Sequence, residues 1–238
     1  MRVLVACEFS GIVRDAFIER GHDAWSVDLL PTEADPARHL IADVNMVINY
    51  PDRVLGGMPR WMRAGEWDLM IAHPPCTHLA VSGARWFKDK VVEQAEALDF
   101  VRMLLDAPIP RIALENPVSI ISSRIRKPDQ IVQPYWFGHG ETKTTCLWLK
   151  NLPKLEPTDL VVPEWAIRGD GSVHLSAKGK RDNPTHFLTG RTTRVLSGPQ
   201  LAQWERIHHE PPSPDRWKNR SRTYLGFAAA MADQWGSL

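Results

Sequence analysis

Residues 2–11, Arg2-Val3-Leu4-Val5-Ala6-Cys7-Glu8-Phe9-Ser10-Gly11, decide how the chain is read. A short apolar run breaks into a polar turn with a glycine, and apolar residues at helical spacing follow. That is the pattern of a buried strand handing over to a helix. The helix is expected over residues 12–20, with Gly21 as its C-cap. Working outward, the alternation repeats. Residues 24–29 read as a second strand ending near Asp28, with Pro31 behind it, and residues 40–43 as a short third strand. Residues 67–72 read as a strand running straight into His73-Pro74-Pro75-Cys76. An amphipathic helix over 91–105 precedes a strand over 111–114 that ends on Glu115-Asn116-Pro117, and 145–149 reads as one more strand. Strands separated by helices imply parallel β-α-β units and a doubly wound α/β sheet. In such sheets the ligand lies outside the carboxyl ends of the strands. Glu8, Asp28, Cys76 and Glu115 all fall at such ends.

From residue 151 the texture changes. Proline, glycine and scattered Lys/Arg, with weak periodicity, predict a loop-rich insertion over 151–193 holding at most a hairpin. Residues 199–209 look helical, 211–214 break the chain, and 223–235 form a closing helix rich in alanine. The expected organisation is an α/β domain over 1–150, the small loop-rich insertion over 151–193, and C-terminal helices over 194–238 returning to the first domain.

Composition sets the outer bounds. At 238 residues, 43% hydrophobic and 24% charged, the chain buries a full core and is not disordered. No apolar run approaches the roughly 20 residues that span a bilayer, so no membrane partner is expected. The opening residues are too short an apolar stretch for a signal peptide. Cys7, Cys76 and Cys146 are far apart, which fits neither a disulfide framework nor a C-x-x-C metal site, and a reducing cytoplasm is expected. The net charge of +1 says little, but its distribution says more. Residues 1–110 hold 11 Lys/Arg against 16 Asp/Glu, a balance of −5, whereas 178–222 hold 10 against 4, a balance of +6. A basic segment beside an acidic half suits a polyanionic partner, although a solvated face of mixed charge has the same composition.

Three places carry candidate chemistry. The Glu8-Phe9-Ser10-Gly11 turn lets a cofactor approach the backbone, yet it lacks both G-x-G-x-x-G and G-K-[ST], so a pyrophosphate cradle is poorly supported. Asp28 is placed to accept from two ribose hydroxyls. Cys76, on a loop stiffened by Pro74 and Pro75, is a poised thiol whose pKa of roughly 8.5 is lowered by nearby cations, with His73, His78 and Arg85 as local candidates. Cys7 and Cys146 lie in apolar runs and read as buried hydrophobes. His73, Cys76 and His78 could also be metal ligands, but Leu79 stands where a zinc deaminase has its next cysteine, and no metal is expected. Glu115, at the end of a buried strand, is suited to a raised pKa and to donating to a ring nitrogen.

In this order the motifs resemble those of the DNA cytosine-C5 methyltransferases over nearly the whole chain. Residues 7–11 resemble the family's cofactor-loop motif, 26–28 its second motif and 42–44 its third. His73-Pro74-Pro75-Cys76, closing with Ser82-Gly83, resembles the nucleophile motif and its mobile loop, and Leu114-Glu115-Asn116-Pro117 the Glu-Asn-Val motif. Residues 137–149 resemble the eighth motif, 194–206 the ninth and the helix over 223–235 the tenth. The resemblance implies a Rossmann-like sheet that binds S-adenosylmethionine through Glu8, Phe9, Ser10, Gly11, Asp28, Leu29, Asp43 and Pro74. It implies Cys76 as covalent nucleophile, Glu115 as the partner of the pyrimidine N3, and Lys143 and Thr145 at the positions of the family's paired arginines. Ser82 and Arg85 would touch the substrate, a cytosine flipped out of DNA. It also implies a bacterial or phage-infected cytoplasm, with a protein partner or oligomer supplying target recognition.

The chain departs from the family in places. Thr77 follows the nucleophile where the family has Gln, Pro117 replaces the Val of Glu-Asn-Val, and only residues 150–193 separate the eighth and ninth motifs. The residues leave open C5 modification of RNA or of a free pyrimidine nucleotide by the same chemistry, and an inactive nucleic-acid-binding relative.

Overall fold

A computed structural model describes residues 1–54, 56–173, 186–187, 193–204, 206–208, 210–214 and 216–238. The chain divides into two compact units: residues 1–132, 144–154 and 231–238 form the first, and 133–143 with 155–230 the second.

The first unit begins β1 (Arg2–Ala6), α1 (Ile12–Ile18), β2 (Asp23–Asp28) and β3 (His39–Ile41). Three short helices follow, α2 (Val44–Asn49), α3 (Pro51–Val54) and α4 (Arg60–Arg63), and then β4 (Leu69–Ala72) and α5 (Val91–Leu105). It continues through β5 (Arg111–Pro117), α6 (Ile121–Arg124), β6 (Gln130–Val132) and β7 (Thr145–Lys150). The seven strands form one sheet in the order β3-β2-β1-β4-β5-β7-β6, and β7 runs antiparallel to both its neighbours. This is the strand order of the Rossmann-like S-adenosylmethionine-dependent methyltransferase sheet.

The apolar runs make the sheet because central parallel strands bury both faces and so need side chains that tolerate burial on each. Val3, Leu4, Val5 and Ala6 of β1, and all four residues of β4, are fully buried. Each large apolar side chain removed from water here contributes about 1.5–3 kcal/mol. Trp148 of β7 is also fully buried, and its indole N–H donates to the Arg126 carbonyl at 2.8 Å, so burial leaves no orphan donor. The chain builds outward from β1 to β3 and then returns to place β4 on the other side of β1. That reversal opens a crevice at the carboxyl ends of β1 and β4.

The second unit contains β8 (Leu160–Pro163), paired in parallel with β11 (Thr193–Leu196), and the short antiparallel pair β9 (Ser172–Val173) and β10 (His186–Phe187). Helix α7 (Arg216–Ser221) follows. Helix α8 (Leu225–Trp235) starts in this unit and ends, from Met231, in the first. Tyr135, Val161, Val162, Ala166, Val173 and Trp204 form its own apolar core. Residues 174–185 and 188–192 of the expected insertion, and the start of the basic segment 178–222, lie outside the described residues.

Several boundaries differ from the sequence reading for local reasons. Helix α1 stops at Ile18, and the chain turns through Gly21 at φ 81. β3 stops at Ile41 because Asp43 caps α2, accepting from the Asn45 N–H at 2.8 Å. β5 extends to Pro117 because β7 pairs along its whole length, with Glu115 opposite Leu147 and Pro117 opposite Thr145. The expected helix over 199–209 is instead two 3-10 turns, Gly198–Gln203 and Arg206–His208. The mobile loop expected from Ser82-Gly83 onward falls within a 3-10 stretch, Val81–Asp89. Among the described residues no helix is long and apolar enough to cross a membrane.

Candidate active site

The strand ends that flank the crevice carry the polar residues singled out above. At the end of β1, Cys7 adopts φ 59, and the chain turns through Gly11 at φ 75 into α1. A side chain at residue 11 would meet Ala34 Cβ at 2.7 Å, which explains the glycine there. Glu8 is buried, and its carboxylate accepts the Val13 N–H at 2.7 Å and the Arg14 N–H at 3.2 Å, with the Ser10 hydroxyl donating at 3.2 Å. These amides open α1, so Glu8 satisfies helix-end donors that would otherwise be orphaned in a buried setting. Burial raises its pKa, against the lowering effect of His73 and those hydrogen bonds.

A cleft of about 680 Å³ opens at the carboxyl ends of the strands. Cys7, Asp28, Leu29, Asp43 and Pro75 line one side, and α5 forms a wall with Glu93, Glu96, Ala97, Asp99, Phe100 and Met103. Five carboxylates line it, with neither Lys nor Arg among the lining residues. Asp28 also accepts the Leu30 N–H at 2.9 Å, which shapes the turn after β2. The Cys7 thiol is pushed up to about 12 by burial first and then by Asp28 and Asp43, so it stays protonated.

Beyond β4 the Pro74-Pro75-Cys76 loop carries an exposed thiol at Cys76, while Pro74 is buried. The Cys76 carbonyl accepts the Leu79 and Ala80 N–H groups, closing a turn that leads into the 3-10 stretch bearing the exposed Ser82 and Arg85. On the neighbouring β5, Glu115 and Asn116 are tied to this loop. His73 Nδ1 lies 3.1 Å from Glu115 Oε2, and Asn116 Nδ2 donates to the Pro74 carbonyl at 2.9 Å.

The structure therefore brings Cys76, Glu115, Asp28, Leu29 and Asp43 to one edge of the sheet. Glu8, Phe9, Ser10 and Gly11 form the turn into α1 and are not among the residues lining the cleft; nor is Pro74, whose neighbour Pro75 is. Thr145 is buried at the start of β7. Lys143 belongs to the second unit, where its backbone N–H donates to Gln133 Oε1 and its ammonium to the Arg222 carbonyl. Among the described residues no group of three or more His, Cys, Asp or Glu gathers as a metal site.

Two features escaped the sequence reading. His73 meets Glu115, whereas the sequence offers it as a neighbour for the Cys76 thiol or as a metal ligand. Helix α5 presents residues 93, 96, 97, 100 and 103 to the cleft, a stripe at helical spacing that mixes acids with apolar residues and so reads as an ordinary amphipathic pattern.

No protein-family model and no curated protein matches the chain. Among solved structures it is similar to a protein described as a DNA modification methyltransferase encoded within a prophage (E. coli), with a TM-score of 0.40 and 13% identity. That match covers 63% of this chain and 46% of the other. It is also similar to a DNMT2 mutant from Spodoptera frugiperda, with a TM-score of 0.39 and 12% identity over 89% of this chain and 60% of the other. The chain thus spans less than two thirds of the length of either structure.

Proposed function

We propose that this chain methylates C5 of cytosine in DNA, with S-adenosylmethionine as donor and a covalent intermediate at Cys76. The observation that carries the reading is the double tie between the His73-Pro74-Pro75-Cys76 segment and Glu115-Asn116 at adjacent strand ends, beside a cleft that suits a nucleoside.

The cleft fits the donor on chemical grounds. The amides that open α1 are already occupied by Glu8, so that helix end offers a phosphate no welcome. The donor carries no phosphate, and the carboxylates of α5 would balance its sulfonium and ammonium charges. Asp28 and Asp43 would accept from its hydroxyl and amino groups, and Leu29, Phe100 and Met103 would supply apolar walls. Bound there, S-adenosylmethionine supplies an electrophilic methyl group on a positively charged sulfur.

The chain's own residues supply the rest. The Cys76 thiolate adds to C6 of the pyrimidine. Glu115 holds a proton at N3, so the charge developing on the ring is neutralised and C5 becomes nucleophilic. Once C5 is methylated, loss of its proton to water restores the C5–C6 double bond and expels Cys76 as thiolate, while the proton at N3 returns to Glu115. A cytosine inside a duplex must first leave the stack. The basic α7, with Arg216, Lys218 and Arg220, is suited to phosphate contacts.

The test is transfer of tritiated methyl from S-adenosylmethionine to duplex DNA, RNA and free cytidine nucleotides, with Cys76→Ser beside the wild type. Label in DNA C5-methylcytosine that vanishes in Cys76→Ser supports the proposal. Undiminished transfer in that variant would sink the covalent mechanism. Transfer to RNA or nucleotides but not to DNA would move the same chemistry to another acceptor.

A further inference from the structure

We infer that His73 is a positioning residue that holds the Glu115 carboxyl in the orientation needed to present a proton to the pyrimidine. The inference rests on the proposed role of Glu115 and adds a residue that the reaction scheme above does not use.

The sheet register makes the contact unavoidable. Ala72 of β4 pairs with Ala6 of β1 on one side and with Leu114 of β5 on the other. His73 and Glu115 are each the next residue along, so their side chains leave the sheet at the same level. The His73 N–H donates to the Ala6 carbonyl at 2.9 Å, which fixes the backbone beneath the ring. The ring and the carboxyl are 12% and 14% exposed, so their 3.1 Å contact is largely sheltered from water. On the other flank of β4, β1 leads into Glu8, whose carboxyl accepts the Val13 and Arg14 N–H groups.

The roles of the two groups across this contact follow from the proton that each carries. A carboxyl that donates to a ring nitrogen must be protonated, with one oxygen as acceptor and the other as hydroxyl. With the neutral ring carrying its hydrogen on Nδ1, His73 donates to Oε2, which makes Oε2 the acceptor and biases the proton to the other oxygen. That bond also selects the tautomer. Nε2 is buried and has no hydrogen-bond partner among the described residues. A half-satisfied imidazole is a costly way to fill space, because an apolar side chain would leave no polar atom unpaired. Packing alone gives no reason for histidine; the bond to Glu115 does.

Three variants separate the roles. His73→Asn places an amide N–H close to the Nδ1 position, His73→Gln carries the same amide one carbon further out, and His73→Leu removes the donor. The readout is the single-turnover rate of adduct formation at Cys76 with a 5-fluorocytosine DNA duplex and S-adenosylmethionine, followed by intact-protein mass. Binding of the donor and of the duplex is measured beside it, and iodoacetamide labelling of Cys76 reports the state of its loop. The expected result is a rate about tenfold to hundredfold lower in His73→Leu and His73→Gln, with both affinities and Cys76 labelling unchanged. His73→Asn should return to within about threefold of wild type. If His73→Leu fails to fold, the contrast of Asn with Gln still decides. Equal rates in those two variants, or a wild-type rate in His73→Leu, overturn the inference while leaving the Cys76 mechanism standing. Absence of any wild-type adduct overturns the mechanism and the inference together.

Discussion

Asn116 on β5 donates from Nδ2 to the carbonyl oxygen of Pro74, the residue two before Cys76, across 2.9 Å in a buried setting. One strand end is thereby fastened to the loop of its neighbour. Replacing Asn116 by Ala leaves that carbonyl unpaired, and a buried unsatisfied acceptor costs about 1–3 kcal/mol. Urea unfolding of Asn116→Ala should show a loss in that range, with adduct formation at Cys76 slowed as well. Full stability with full activity would show that the bond is idle.

The three thiols should part company on alkylation. Cys76 is exposed, Cys146 is buried, and burial together with Asp28 and Asp43 raises Cys7 to about 12. Only thiolate reacts, so iodoacetamide near pH 8 should label Cys76 first, and Cys7 and Cys146 only after unfolding. Peptide mapping by mass spectrometry reads the order directly. Early labelling of Cys7 would contradict the environment described for it.

Two glycines should resist even alanine. At Gly11 the backbone has φ 75, and a Cβ would lie 2.7 Å from Ala34 Cβ and 2.8 Å from Arg14 Nη2. The left-handed backbone alone costs about 1–2 kcal/mol for a residue with a Cβ, and the clash adds to it. At Gly226, where α8 begins, a Cβ would lie 1.8 Å from the Phe137 carbonyl oxygen, a contact that only backbone movement relieves. Gly11→Ala should lower the melting temperature. Gly226→Ala should disrupt the second unit, seen as faster proteolysis within 133–143 and 155–230.

Acid should expose the contribution of Asp129. Burial pushes its pKa up, but the Leu149 N–H at 2.7 Å and Arg126 outweigh this and hold it below the usual value. A carboxylate lowered in the folded state stabilises the fold above its unfolded value, about pH 4, and that stability is lost as pH falls through the lowered folded value. Glu8 has the opposite sign. Raised by burial, it contributes most below its unfolded value, and that contribution is lost as pH rises through its folded value. Asp129→Asn should therefore flatten the acid limb of stability against pH, while Glu8→Gln should alter the curve on the higher side. Urea midpoints across pH 3–7 test both.

The sheet was legible because parallel strands print their burial as unbroken apolar runs: Val3–Ala6 and Leu69–Ala72 need no context to be recognised. β6 was not, because Gln130-Ile131-Val132 is three residues long and its pairing is set by β7 rather than by its own pattern. The helices of residues 44–63 are too short for periodicity to show. Within the candidate site, Cys76 and Glu115 announced themselves by lying at strand ends. His73 did not announce its partner, because a contact between residues 42 positions apart depends on strand order, and sequence does not print that β4 and β5 are neighbours. The α5 wall of the cleft was hidden for a similar reason: one helical stripe looks the same whether it faces a core, water or a ligand.

Glu8 has a consequence for the company the protein keeps in a cell. Nucleotides and dinucleotides are recognised on this type of sheet by offering their phosphates to the first helix, and here that berth is filled by a side chain of the chain itself. Abundant phosphorylated metabolites thus lose their customary foothold, and the cleft need not outcompete them by affinity. An inhibitor built on a phosphate-bearing nucleoside would meet the same refusal, whereas one carrying a cation in place of the phosphate would meet the carboxylates of α5.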